Sequence, residues 1–198
     1  MTQALIVIDM QKDFCPGGAL AVPGGDEIVA GINALMTQFP AVILTQDWHP
    51  AGHSSFASAH PGKVPFETVE MSYGAQVLWP DHCVQGSDGA AFHKDLDTAR
   101  ADLILCKGYH PYIDSYSAFF ENDRETPTGL HGYLQTRGLT DLTFVGLATD
   151  FCVNYSAVDA AWHGYRATVR RDLCRAIDLD GSGAAAEAGM RAAGVTLA

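Results

Sequence analysis

Four stretches of the chain are apolar at nearly every consecutive position: 4–8, 41–46, 103–106 and 142–147. A strand with one wet face alternates, so unbroken runs predict strands buried on both faces of a parallel sheet. Positions 166–171 and 194–197 add a fifth strand and a short last one. Between the runs the period lengthens. Positions 26–38 set Ile28, Ile32, Leu35 and Met36 on one side of a helix that Pro40 closes, and 129–137, 151–165 and 181–193 have helical composition. This alternation predicts an α/β chain, a three-layer α/β/α fold with a mostly parallel central sheet of about six strands. No stretch reads as a linker, so positions 1–198 are expected to form a single domain. Right-handed crossovers bring the carboxyl ends of the strands to one rim, where open α/β sheets carry their sites. Positions 51–102 follow neither period. Their Gly, Pro, Ser and His content, with four aromatics from Phe56 to Trp79, predicts a long, irregular but ordered functional loop.

Composition narrows the partners. The net charge is −11 and the 12 Lys and Arg are scattered, which argues against nucleic acid. Five cysteines (15, 83, 106, 152, 174) without a CxxC pair indicate neither a disulfide framework nor a zinc ribbon. No leader-like start and no run near the ~20 apolar residues of a membrane span is present. The expectation is a cytoplasmic protein acting on a small molecule, with no membrane or nucleic-acid partner and its oligomeric state open.

Chemistry collects where the apolar runs stop. The first run ends in Asp9 and the third in Lys107, while the 142–147 run leads into a turn and a helix with Cys152 at its start. Unpaired amides and the helix dipole at that point favour a thiolate. Taken alone, Cys152 reads first as a small buried hydrophobe behind an N-capping Asp150. Asp9 and Lys107 read alone as an ion pair closing the sheet end. Together the three suggest a cysteine hydrolase without histidine, in which Asp9 takes the thiol proton and returns it to a leaving amine. The second run ends in Asp47-Trp48-His49. Residues two apart on an extended chain point the same way, so Asp47 and His49 can converge, with His82 as a further imidazole. That set suits Zn²⁺, Fe²⁺ or Mn²⁺ with positions left open, and His53 is a possible fourth ligand. The alternative is that these are ordinary surface-loop residues.

The segments Ile6-Val7-Ile8-Asp9-Met10-Gln11-Lys12-Asp13-Phe14, Asp47-Trp48-His49-Pro50, Trp79-Pro80-Asp81-His82-Cys83, Lys107-Gly108 and Gly146-Leu147-Ala148-Thr149-Asp150-Phe151-Cys152-Val153 occur in this order along nearly the whole chain. They resemble the nicotinamidase/pyrazinamidase branch of the isochorismatase-like hydrolases. The resemblance implies the isochorismatase-like hydrolase fold and hydrolysis of nicotinamide to nicotinate and ammonia through a Cys thioester, with pyrazinamide as a further substrate. It implies Asp9 as general base and acid, Lys107 as electrostatic partner and Cys152 as nucleophile, with the Ala148 and Cys152 amides as oxyanion hole. One divalent metal ion on Asp47, His49 and His82 is implied to bind the pyridine nitrogen; an additional ligand at His53 occurs only in some members. The resemblance also implies a cis peptide between Leu147 and Ala148. Phe14 and Trp79 are implied to flank the ring, with Tyr116 nearby. The segment Asp172-Leu173-Cys174-Arg175 receives no role. Another amidase or isochorismatase-type hydrolase on the same fold is the alternative within enzymes. A flavodoxin-like binding module is the alternative outside them, but the chain lacks a Gly-rich phosphate loop.

Strand order can also be anticipated. Neighbouring strands lie ~4.8 Å apart, so groups that must meet are expected on neighbours. This predicts the Asp9 and Lys107 strands side by side, the Cys152 strand beside Lys107, and the flavodoxin-like order 2-1-3-4-5.

Overall fold

A computed structural model describes residues 2–198. Six strands form the main sheet: β1 (Gln3–Ile8), β2 (Val42–Asp47), β5 (Leu103–Lys107), β6 (Asp141–Leu147), β7 (Arg166–Arg175) and β8 (Thr196–Leu197). All pair in parallel. The helices are α1 (Val29–Met36), α2 (Leu130–Arg137), α3 (Asn154–Trp162) and α4 (Ser182–Ala192). Along β1, Leu5 and Val7 pack on one face with Ile32, Leu35 and Met36 of α1. Ala4, Ile6 and Ile8 pack on the other with Leu130, Val153, Ala157 and Met190. Both faces are therefore apolar, which is why the runs do not alternate, and burying each large side chain stabilises by roughly 1.5–3 kcal/mol. Among the described residues no helix is long and apolar enough to cross a membrane.

The sheet order is β5-β2-β1-β6-β7-β8, which corrects the anticipated 2-1-3-4-5. Lys107 ends an edge strand, β2 lies between it and β1, and the Cys152 strand β6 adjoins β1 instead. Groups that meet need not sit on neighbouring strands, because a lysine side chain is long enough to span one intervening strand. The order reverses between β1 and β6, and such a switch point opens a crevice above the strand ends. Asp9 and the Cys152 turn stand on its two sides.

Other differences are local. The region 51–102 holds an antiparallel hairpin, β3 (Thr68–Met71) and β4 (Gly74–Val77), in a separate two-stranded sheet. Helix α1 is shorter than the 26–38 pattern. Strand β7 runs past 171 and absorbs the 172–175 segment, with Cys174 and Arg175 paired to Gly146 and Leu147 across an irregular register. Gly146 has φ +116°, and a Cβ there would collide with the Ile8 carbonyl. Only glycine lets β6 approach β1 this closely.

Candidate active site

Asp9 follows β1 with φ +47°, a left-handed conformation held by its surroundings. Its amide donates to Thr45 Oγ1 (3.1 Å), and the same hydroxyl donates to Asp9 Oδ1 (2.6 Å). Asp9 Oδ2 lies 3.0 Å from Lys107 Nζ. That ammonium also donates to Asp47 Oδ1 (2.9 Å) and the Ser115 carbonyl (2.8 Å), and reaches Cys152 Sγ at 3.5 Å. Lys107, Asp9 and Cys152 are all buried. Burial works against the Lys107 charge, but Asp47 and Asp9 hold its pKa well above the ordinary value. Burial raises the Asp9 carboxyl, with Lys107 opposing.

Cys152 sits between opposing effects. Burial lifts its thiol well above the ordinary value, with Lys107 opposing and Asp9 raising it further. A raised thiol calls for a base that takes its proton as it attacks, as expected of Asp9. The turn is also wider than a plain helix start. Residues Thr149–Val153 form a π-helical turn ahead of α3, a feature frequent at functional sites. The Ala148 carbonyl accepts from Phe151 (3.2 Å) and Val153 (3.1 Å), passing over the Cys152 amide. The Leu147–Ala148 peptide is cis. Asp150 caps no helix. Its carboxylate accepts from the Ile177 and Asp178 amides (3.1 and 2.7 Å) and the Ser182 hydroxyl (2.6 Å), anchoring the loop beyond β7.

Beside this group lie Asp47, His49 and His82. Both imidazoles aim Nε2 at Asp47 Oδ2, at 3.1 and 3.5 Å. Each donates Nδ1–H to a backbone carbonyl, Gly108 O for His49 and Pro80 O for His82, both at 2.8 Å. This fixes the tautomer with a lone pair on the converging nitrogen, the usual support of a metal-binding histidine. Donors about 2.1 Å from one ion lie about 3.0–3.4 Å apart; the two nitrogen–oxygen distances are close to that, and the three atoms lie within 4.8 Å of one another, a set that could hold a small divalent cation. Gly108 has φ +66°, and a Cβ there would stand 2.6 Å from the His49 ring. His53 sits beside His49, with ring centroids 4.4 Å apart. Its Nδ1 meets Ser55 Oγ and its Nε2 the His110 carbonyl, each at 2.8 Å, so neither points at Asp47.

A cleft over both groups is lined by Phe14, Trp79, Tyr116 and Phe151, together with Asp47, His82, Ala148 and Cys152. Phe14 meets the His82 ring edge-on at 5.4 Å, and Trp79 stands 6.2 Å from Tyr116. The predicted residues therefore come together, with His53 against the His49 ring in a second buried cluster that includes Asp114. Sequence reading missed Thr45, Ser115, Phe151 and Gln11, whose side chain bonds both the amide and the carbonyl of Asp47. Thr45 left one signal, a hydroxyl inside an apolar run two residues before Asp47.

Known proteins resemble the chain over nearly its whole length. The Isochorismatase domain family matches residues 3–198. The chain is 55% identical to the nicotinamidase of Acinetobacter baylyi, over 90% of this chain and 84% of that one. The solved Acinetobacter baumanii nicotinamidase pyrazinamidase superposes with TM-score 0.98 at 52% identity, covering 99% of this chain and 95% of that one. The pyrazinamidase of Pyrococcus horikoshii, solved in complex with zinc, superposes with TM-score 0.80 at 33% identity, covering 100% and 99%.

Proposed function

The chain belongs to the isochorismatase family, and from that premise we propose that it is a nicotinamidase, hydrolysing nicotinamide to nicotinate and ammonia, and also accepting pyrazinamide. The observation that carries the reading is Lys107 Nζ, which meets Asp9, Asp47 and Cys152 at once. One buried ammonium thus ties a base and a nucleophile to a candidate metal ligand.

Asp9 removes the Cys152 proton as sulfur attacks the carboxamide carbon. Lys107 offsets the negative charge on the pair. The Ala148 and Cys152 amides receive the developing oxyanion, the largest single electrostatic contribution in acyl transfer of this kind. The C–N bond breaks as Asp9 returns its proton to the leaving amine, giving ammonia and a thioester. A water, deprotonated by Asp9, then cleaves the thioester to nicotinate and restores the thiol. Phe14 and Trp79 hold the flat ring, with Tyr116 beside them. Asp47, His49 and His82 would hold one divalent ion, with Zn²⁺ the best match to two imidazoles and a carboxylate and Fe²⁺ or Mn²⁺ as alternatives. When bound, that ion supplies a Lewis acid for the pyridine nitrogen. His53, grouped with His49 and Asp114, is the further ligand candidate. The chain works as a single domain, 1–198, and five unpaired cysteines suit the reducing cytoplasm. The test is ammonia release from nicotinamide with and without a chelator. No release from metal-replete protein would overturn the assignment.

A further inference from the structure

Gln76 lies on β4 of the inserted hairpin and is fully buried. A buried amide must find partners for two hydrogens and an oxygen, or it costs about 1–3 kcal/mol. Gln76 finds all of them. Its Nε2 faces Asp114 Oδ2 (2.7 Å), the Tyr116 hydroxyl (2.9 Å) and the Val77 carbonyl (2.7 Å). Its Oε1 accepts from the Tyr73 hydroxyl (3.1 Å) and Asn122 Nδ2 (3.2 Å). The surroundings fix this orientation, because a flipped amide would set oxygen against the Asp114 carboxylate and nitrogen against Asn122 Nδ2. The opposite end of Asn122 accepts from the Tyr116 amide (3.0 Å), so the loop is gripped from two sides.

The partners matter because of what the two segments carry. Three residues beyond Gln76 the same segment supplies Trp79, one wall of the cleft, while Asp114 and Tyr116 line it from the 109–128 loop. Neither wall belongs to the main sheet. We propose that Gln76 is the positioning residue that sets the spacing of the Trp79 and Tyr116 walls, and so the fit of a flat six-membered heteroaromatic amide. The inference rests on the nicotinamidase reading. Gln76 touches none of the reacting groups. Loosening the walls weakens substrate and transition state alike, and such a loss appears in KM, not in kcat.

The test is steady-state ammonia release from nicotinamide by the metal-replete wild type, Gln76→Met, Gln76→Glu and the double variant Gln76→Glu/Asp114→Asn. Gln76→Met should raise KM about tenfold, the equivalent of one buried polar partner left unpaired, with kcat changed by less than about threefold and nicotinate inhibition weakened in parallel. Gln76→Glu sets a carboxylate against Asp114 and should do the same or worse. The double variant exchanges donor and acceptor. The new amide at position 114 then donates to the new carboxylate at position 76, and the Tyr116 hydroxyl turns to donate, leaving only the Val77 carbonyl without its donor. KM should fall back part of the way. A purely structural residue would behave differently, lowering apparent kcat with the folded fraction while KM stays put. Unchanged KM in Gln76→Met, or a double variant no better than Gln76→Glu, overturns the inference while the enzyme assignment stands. A wild type that releases no ammonia overturns the assignment, and the inference with it.

Discussion

The two halves of the site are built differently. Every group proposed to react sits on a strand end or the turn directly after one: Asp9 beyond β1, Lys107 closing β5 and Cys152 after β6. The parallel ladder fixes these positions. The half proposed to hold the ring is carried by loops and the inserted hairpin: Phe14, His49, Trp79, His82 and Tyr116 all lie outside the main sheet. There position depends on individual bonds, from His49 to Gly108, from His82 to Pro80, and from Gln76 to its neighbours. Asp47 belongs to both halves, giving Oδ1 to Lys107 and Oδ2 to the imidazoles. The contrast teaches that bond breaking is placed by the fold, whereas substrate choice is placed by side chains that can change without disturbing the sheet.

That division can be broken at its strongest point first. Cys152→Ala should lower kcat by roughly 10⁴-fold or more, as loss of a covalent nucleophile does, while nicotinate still binds in titration calorimetry. Residual turnover near wild type would mean that a water attacks directly. Lys107→Met comes next. It leaves Asp9 and Asp47 buried without their ammonium, and should cost about 3–5 kcal/mol of stability in denaturant titration at neutral pH, together with most of the activity. A stable, active Lys107→Met protein would refute the shared role of this ammonium.

Metal removal probes the other half. It should raise KM roughly tenfold or more and lower kcat less, because an ion on the ring nitrogen serves ground and transition states alike. The metal-free enzyme should lose most of its preference for nicotinamide over benzamide, which lacks the nitrogen, and His49→Ala should mimic it. Retained preference would divorce the Asp47 cluster from ring recognition.

The smallest effect tests the fine adjustment of the base. The Thr45 hydroxyl bonds the charged form of Asp9 and lowers its pKa. Thr45→Val should therefore raise that pKa, so the base stays protonated to higher pH. The acidic limb of the kcat/KM profile moves upward, with Thr45→Ser restoring it. A limb that does not move, or moves down, would exclude Thr45 from tuning Asp9.

The sequence by itself determined the layers and most of the chemistry. Short unbroken apolar runs bounded by turn residues predict strands covered on both faces, and a charged residue ending such a run must find a partner or a task. That logic reached Asp9, Lys107 and Cys152, and the Asp-x-His spacing reached Asp47 and His49. Tertiary structure decided the strand order, because a lysine spanning a neighbouring strand leaves no trace in spacing. It set burial, which raises the Cys152 thiol, against the helix end that the sequence made visible. It decided that His53 faces Ser55 and His110, away from Asp47. And it alone joined Thr45 to Asp9 and Gln76 to Asp114 and Tyr116. Those partners lie dozens of residues away along the chain, and hydrogen bonds of that range have no periodicity to read.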